Sequence, residues 1–278
     1  MKDNQRRLTS AATRKMNDEF YIGWEAKAAP GIGKFVQRAV VALVLFALLT
    51  AVALAVSQRL IGTAVFEWGN VKTFSGILQA TPYPHLLVPR PGASHFHTLQ
   101  SGEVSAGEFS SYHLVAPWKF GLKPAASAAF DGQPVTLKGT LIYRGSQTMI
   151  EVVDGSIQSA TNHFTAALPR NISLGRQTLT GEIVDSKCFL GVMNPGSLAP
   201  HRACAIRCIS GGIPPVLLVR PENAPPVYLL LVSAAGKPVN QQVLDLVAEP
   251  VEITGEVERQ GELLILRADP ATYRRTGS

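Results

Sequence analysis

Charge is scarce in this sequence, and every familiar catalytic signature is missing. Only 17% of the chain is charged, and 278 residues contain just three cysteines and six histidines. There is no Gly-x-Ser-x-Gly, no Walker loop, no His-Glu-x-x-His and no dinucleotide fingerprint after a strand. These absences leave the chain without the signatures of a serine hydrolase, a P-loop NTPase, a zincin or a Rossmann enzyme. Without Cys-x-x-Cys, thioredoxin-type exchange has no support, and without Cys-x-x-Cys-His, covalent c-type haem is not expected. The net charge of +6 raises the possibility of nucleic acid. However, the basic residues form no stripe interleaved with aromatics, so no nucleic-acid partner is expected.

What is abundant is apolar sequence, 46% of the chain. From Ala39 to Gln58 there is no charged residue. Twenty residues at helical rise span about 30 Å, the thickness of a bilayer's hydrocarbon core. The preceding polar region is too long for a cleaved signal peptide, so residues 39–60 are expected to be an uncleaved signal anchor. Lys2, Arg6, Arg7, Arg14, Lys15, Lys27, Lys34 and Arg38 all precede it. The positive-inside rule then puts residues 1–38 in the cytoplasm and the rest in a periplasm, beyond a bacterial inner membrane. Within the tail, Phe20, Tyr21 and Trp24 form an aromatic patch that suits an interfacial anchor or docking to a membrane partner, and Pro30-Gly31 reads as a breaker after it.

Beyond residue 60 the chain has short β-branched runs and many Gly and Pro breakers, which is a strand-rich pattern. It also repeats. Val71–Ile77 resembles Gln177–Ile183, Tyr112–Val115 resembles Tyr228–Leu231, and Pro134–Leu141 lines up with Pro250–Val257. The last two matches share one offset. Three strands, a connecting helix and two strands is the order of the OB-fold. Residues 240–247 carry a helical stripe in the second copy; Pro124 weakens the equivalent segment of the first. The expected fold is therefore mainly β: one transmembrane helix, a first OB-like five-stranded barrel over 66–160 and a second over 174–270, joined by a linker near 162–176.

All three cysteines lie in one insertion after the opening strand of the second copy, with His201 beside them. His201, Cys204 and Cys208 fall at i, i+3 and i+7, which is one face of a helix. Three readings stay open. In an oxidising compartment Cys188 would pair with Cys204 or Cys208, stapling the insertion and leaving one thiol spare. Alternatively, three thiolates and one imidazole suit zinc or reduced copper. A spare thiol could also exchange a disulfide, its pKa lowered by His201, Arg202 or Arg207. Asp185, three residues before Cys188, could cap the turn or hydrogen-bond His201 from behind. Gly211-Gly212 and Pro214-Pro215 read as helix punctuation, and His95 and His97 as loop histidines. His85, His113 and His163 receive no role.

The pattern Asp185-x-x-Cys188, His201-x-x-Cys204-x-x-x-Cys208, Gly212-x-Pro214 resembles a domain of uncharacterised bacterial exported proteins. Phe20–Trp24 before a single span is similar to a feature of uncharacterised membrane proteins in that circle. The resemblance implies an OB-like domain and an envelope location, and it brings no established activity. Together these features suggest a non-catalytic, membrane-anchored accessory or binding subunit of an envelope redox or respiratory assembly. The alternative is a zinc- or copper-binding or thiol-redox protein acting through Cys188, His201, Cys204 and Cys208.

Overall fold

A computed structural model describes residues 30–60, 64–89, 109–160 and 169–276. The aromatic patch Phe20, Tyr21 and Trp24 lies outside the described residues, as do His95, His97 and His163. The chain divides into two compact units at residues 61 and 62.

The first unit contributes helix α1, Pro30–Leu60. Within its Gly31–Ser57 stretch the most apolar 18 residues have a mean hydropathy of 2.9 and none of them is buried within the protein, so the helix could anchor the chain in a membrane. Pro30-Gly31 does not break this helix but begins it. Proline at the first helical position has no N–H to lose and its φ is already helical.

The second unit holds two five-strand barrels of OB type. In the first, β2 (Lys72–Gln79), β3 (His85–Pro89), β4 (Phe109–Val115), β5 (Pro134–Arg144) and β6 (Gln147–Val152) close in the order β2-β3-β4-β6-β5-β2. The second repeats this circuit with β8 (Asn171–Asp185), β9 (Pro215–Val219), β10 (Val227–Val232), β11 (Pro250–Gln260) and β12 (Leu263–Arg267). In each, the third and fifth strands run parallel and the other neighbours antiparallel. Closure leaves no free edge in either circuit. Three short strands lie outside the circuits: β1 (Ala64–Phe66) and β7 (Gln158–Ser159) pair with β5, and β13 (Arg274–Arg275) pairs with β11.

The pairing registers fix the repeat more finely than letter matching does. Gly76 faces Val135 and Gly181 faces Val251, so Gly76 corresponds to Gly181, one place off the alignment of Val71 with Gln177. Leu114 faces Ile150 and Leu231 faces Leu266, which likewise moves Leu114 onto Leu231. The Pro134/Pro250 match holds: Gly139 and Gly255 occupy one position. A Cβ at Gly139 would lie 2.3 Å from Ile150 Cγ2, and one at Gly255 would lie 2.3 Å from the Arg267 carbonyl oxygen. Glycine at this point lets the long strand bend while its hairpin partner crosses closely, which turns the barrel corner.

Two further expectations change. The connecting segment of the first barrel forms a short helix, α2 (Pro124–Ser127), with a 3₁₀ turn after it. The second barrel has only a 3₁₀ turn at Leu244–Leu246. Pro124 starts its helix rather than spoiling it. Val239, Val243 and Val247 are fully buried in the second core, which satisfies their apolar stripe without a full α-helix. The linker is also shorter than 162–176, because β8 already pairs with β11 from Asn171.

Each barrel sends the segment after its opening strand onto the other. Tyr83, at the end of that segment in the first barrel, is buried among Val184, Val216 and Leu230 of the second, and its hydroxyl accepts from Val239 N at 3.0 Å. The corresponding segment of the second barrel is the cysteine insertion. It packs on Val115, Ile142 and Met149 of the first.

Candidate functional site

The insertion starts where β8 ends. Asp185 is fully buried; its Oδ1 accepts from Cys188 N at 2.7 Å, holding the turn that presents this cysteine. Its Oδ2 lies 2.9 Å from His201 Nε2. One carboxylate thus ties both ends of the insertion together. A π-helical turn follows at Cys188–Val192, then helix α3, Arg202–Ser210, which carries Cys204 and Cys208. Cys188 and Cys208 are buried and Cys204 is half-buried.

None of the three cysteines forms a disulfide. Cys188 Sγ lies 3.9 Å from Cys204 Sγ and 3.8 Å from Cys208 Sγ. All three sulfurs fall within 4.8 Å of one another. The expected staple is therefore not formed: a disulfide needs sulfurs about 2.05 Å apart. The sulfurs sit instead at the corners of a small triangle. A second group, Asp185, Cys188 and His201, also falls within 4.8 Å and shares Cys188 with the first. His201 thus stands beside the thiols with Asp185 on its Nε2.

The cation at this site does not come from the insertion. Arg202 is paired with Glu249 and Arg207 is exposed. Lys119, from the loop after β4 of the first barrel, brings its Nζ to 2.7 Å from Cys204 Sγ and 3.9 Å from Cys208 Sγ. The hydrogen bond to Cys204 pushes the Lys119 pKa up against the opposing effect of its partial burial. Between the two buried cysteines, the Cys208 contact and burial push the Cys188 thiol up, while the Cys188 contact pulls Cys208 down.

The loop bearing Lys119 is itself held by the insertion. Lys187 is 1% exposed, and its ammonium donates to the carbonyls of Ala116 at 2.9 Å and Trp118 at 2.7 Å and pairs with Glu151 Oε2 at 2.5 Å. Three partners match the three donors of an ammonium. Trp118 has φ +63°, a backbone region costly for a bulky residue and kept only when its surroundings enforce it. Two glycine contacts close the same seam. Gly121 N donates to Gly211 O at 3.0 Å, and a Cβ at Gly211 would lie 2.1 Å from the Lys119 carbonyl oxygen. The Gly211-Gly212 pair is thus more than helix punctuation, because it lets the loop approach α3.

Sequence reasoning missed Lys119, Lys187 and Glu151, since nothing local in the sequence joins residues so far apart. It also passed over His85 and His113. These face each other across β3 and β4 with ring centroids 6.1 Å apart, and both are buried. Burial pulls the pKa of both down, that of His113 to about 3, so both are neutral.

The fold and site together define a class: a tandem OB-type protein with a three-thiol, one-lysine cluster on the seam between its barrels. No family model, curated protein or solved structure matches the chain.

Proposed function

We propose that this protein is a single-pass, membrane-anchored metal-binding protein of the cell envelope, holding one soft d¹⁰ ion, copper(I) or zinc, on Cys188, Cys204 and Cys208. The observation that carries this reading is the sulfur triangle. A cation about 2.3 Å from each thiolate sets the sulfurs roughly 3.8–4.0 Å apart, for tetrahedral and trigonal angles respectively. The separations of 3.9 and 3.8 Å from Cys188 Sγ to the other two sulfurs fall in that range, and all three lie within 4.8 Å of one another. Thiolates select copper(I) and zinc over harder ions. Lys119 offsets part of the negative charge that three thiolates impose on one small cation. The basic residues before α1 support a cytoplasmic tail and barrels on the outer face. On that face, thiols this close would be oxidised to a disulfide unless a ligand occupied them.

A second reading, an accessory subunit docking to an envelope redox or respiratory partner, is favoured by Trp118. It is 79% exposed, and with half-exposed Phe120 it flanks Lys119. Large apolar side chains exposed beside a site suit a partner surface. The two readings are compatible, because a protein that carries a metal must meet whatever supplies or receives it. Anaerobic titration of the detergent-solubilised full chain with copper(I) against a competing chelator tests the first. One equivalent should bind, and Cys204→Ser or Cys208→Ser should abolish competition. Full binding by both variants would remove the triangle from the function. Gentle extraction tests the second: a monomer with no co-purifying membrane protein would count against it.

A further inference from the structure

Three metal-binding side chains lie in a row on the face of the first barrel that the cysteine insertion covers. The pairing register sets His85 of β3 opposite His113 of β4, and His113 opposite Met149 of β6. Alternation along each strand puts residues paired in this way on the same side of the sheet. Their sequence neighbours Leu86, Leu114 and Ile150 fill the barrel interior, so the row faces outward. Val115, two places beyond His113, packs with Met149 in the cluster that holds Cys188 and Cys208. His85, His113 and Met149 are 1%, 8% and 0% exposed.

Burial at that depth leaves two ring nitrogens without partners. His85 Nδ1 lies 3.0 Å from the Tyr83 carbonyl oxygen, which can only accept, so this nitrogen carries the hydrogen. In a neutral imidazole Nε2 then holds a lone pair, and no described residue hydrogen-bonds to it. His113 Nδ1 is likewise buried with no hydrogen bond from a described residue. Leucine at both places would pack without stranding two polar atoms. A histidine whose other nitrogen donates to a backbone carbonyl is instead the usual arrangement of a metal ligand. The spacing agrees. With metal–nitrogen bonds of about 2.0–2.1 Å and a ring radius of about 1.15 Å, two imidazoles on one ion set their centroids about 5.5 Å apart at a trigonal angle and about 6.4 Å apart when opposed. The His85 and His113 centroids are 6.1 Å apart.

We infer that His85, His113 and Met149 form a second copper(I) site, separate from the thiolate triangle. Two imidazoles and a thioether are neutral donors of soft or borderline character, a set that suits copper(I) better than a hard cation. His113 also lines a partly open cavity of about 20 Å³ at the seam, together with Ser186, Phe189 and Tyr228. That is room for one ion or one water, and it gives the buried row a way in. The site goes beyond the cysteine reading and does not depend on it. Three thiolates attract a cation more strongly than three neutral donors do. The histidine site therefore fills second and yields to a chelator that the triangle resists.

Anaerobic titration of the detergent-solubilised full chain with copper(I), buffered by a weak chelator, reads the site. Two equivalents should bind, and X-ray absorption should show nitrogen at about 2.0 Å entering with the second. His113→Leu should lose the second equivalent and keep the first, which shows that the seam is intact. Met149→Leu, close in volume, should weaken the second equivalent and leave its two nitrogens in place. The chain carrying both Cys204→Ser and Cys208→Ser should still bind one equivalent, held by nitrogen. If the parent shows only that nitrogen-held equivalent, the thiolate reading fails and this one stands. A parent that binds only sulfur-held copper, or a second equivalent unchanged by His113→Leu, would overturn the inference.

Discussion

Lys187→Met is the most informative single substitution at the seam. The lysine is 1% exposed and its ammonium serves Glu151 and two carbonyls of the first barrel. Methionine fits the same volume but cannot donate. The change strands the Glu151 carboxylate, whose side chain is only 14% exposed, and leaves the Ala116 and Trp118 carbonyls without this donor. Breaking a buried ion pair from one side costs about 3–5 kcal/mol, against a typical total stability of about 5–15 kcal/mol. Trp118 returns about 1 kcal/mol of this, the low end of the cost of such a backbone conformation, if its positive φ relaxes once its carbonyl is released. A net loss of about 2–4 kcal/mol should lower Tm by roughly 4–16 °C for a unit of this size. Urea unfolding of the detergent-solubilised chain, followed by near-UV circular dichroism, measures it. Adding Glu151→Gln to the variant removes the stranded charge, so the double mutant should be destabilised by less than the sum of the two singles. Lys187→Met within about 0.5 kcal/mol of the parent, or strict additivity in the double-mutant cycle, would refute the view that this ion pair fastens the barrels.

Other expectations follow from the same geometry. His85 and His113 have folded pKa values below their unfolded ones, so the unfolded chain binds more protons below about pH 6.5. Stability is therefore complete above that pH and falls by about 1.4 kcal/mol per unit for each histidine as the pH drops, for His113 down to about 3. His113→Leu should flatten this slope in urea titrations between about pH 4 and 6.5, and an unchanged slope would contradict the burial of a neutral imidazole. Tyr83→Phe leaves Val239 N buried without its 3.0 Å acceptor and should cost about 1–3 kcal/mol by the same assay. Gly211→Ala drives a methyl into the Lys119 carbonyl, and amide hydrogen exchange should rise in residues 116–121 while the far side of each barrel is unaffected. His201→Ala should weaken copper(I) binding by about 10–100-fold without abolishing it, because its bond to Asp185 supports the turn that presents Cys188.

The fold was legible because OB barrels are built from local signals. Alternating strands, corner glycines at Gly139 and Gly255, and a repeated strand order are all visible along the chain. The apolar helix that could anchor the chain was legible for the same reason, as composition alone marks it. What escaped was whatever depends on contact between the repeats. Letter matching misplaced two strand alignments by one residue, since β-rich segments look alike and only pairing sets the register. The cysteine cluster was found, but its cation was not: Lys119 lies 85 residues before Cys204 and reaches it only once the barrels pack. Nor did the sequence separate a staple from a triangle. That distinction depends on sulfur distances of 3.8 and 3.9 Å, which follow from Asp185 holding Cys188 over α3.

The measurement that bears most directly on the metal reading is X-ray absorption at the metal edge, on full-length protein extracted anaerobically and loaded with one equivalent of copper(I). A shell of three sulfurs at about 2.3 Å is expected, falling to two in Cys204→Ser. A first shell made of nitrogen and oxygen, or a spectrum unchanged by Cys204→Ser, would contradict it.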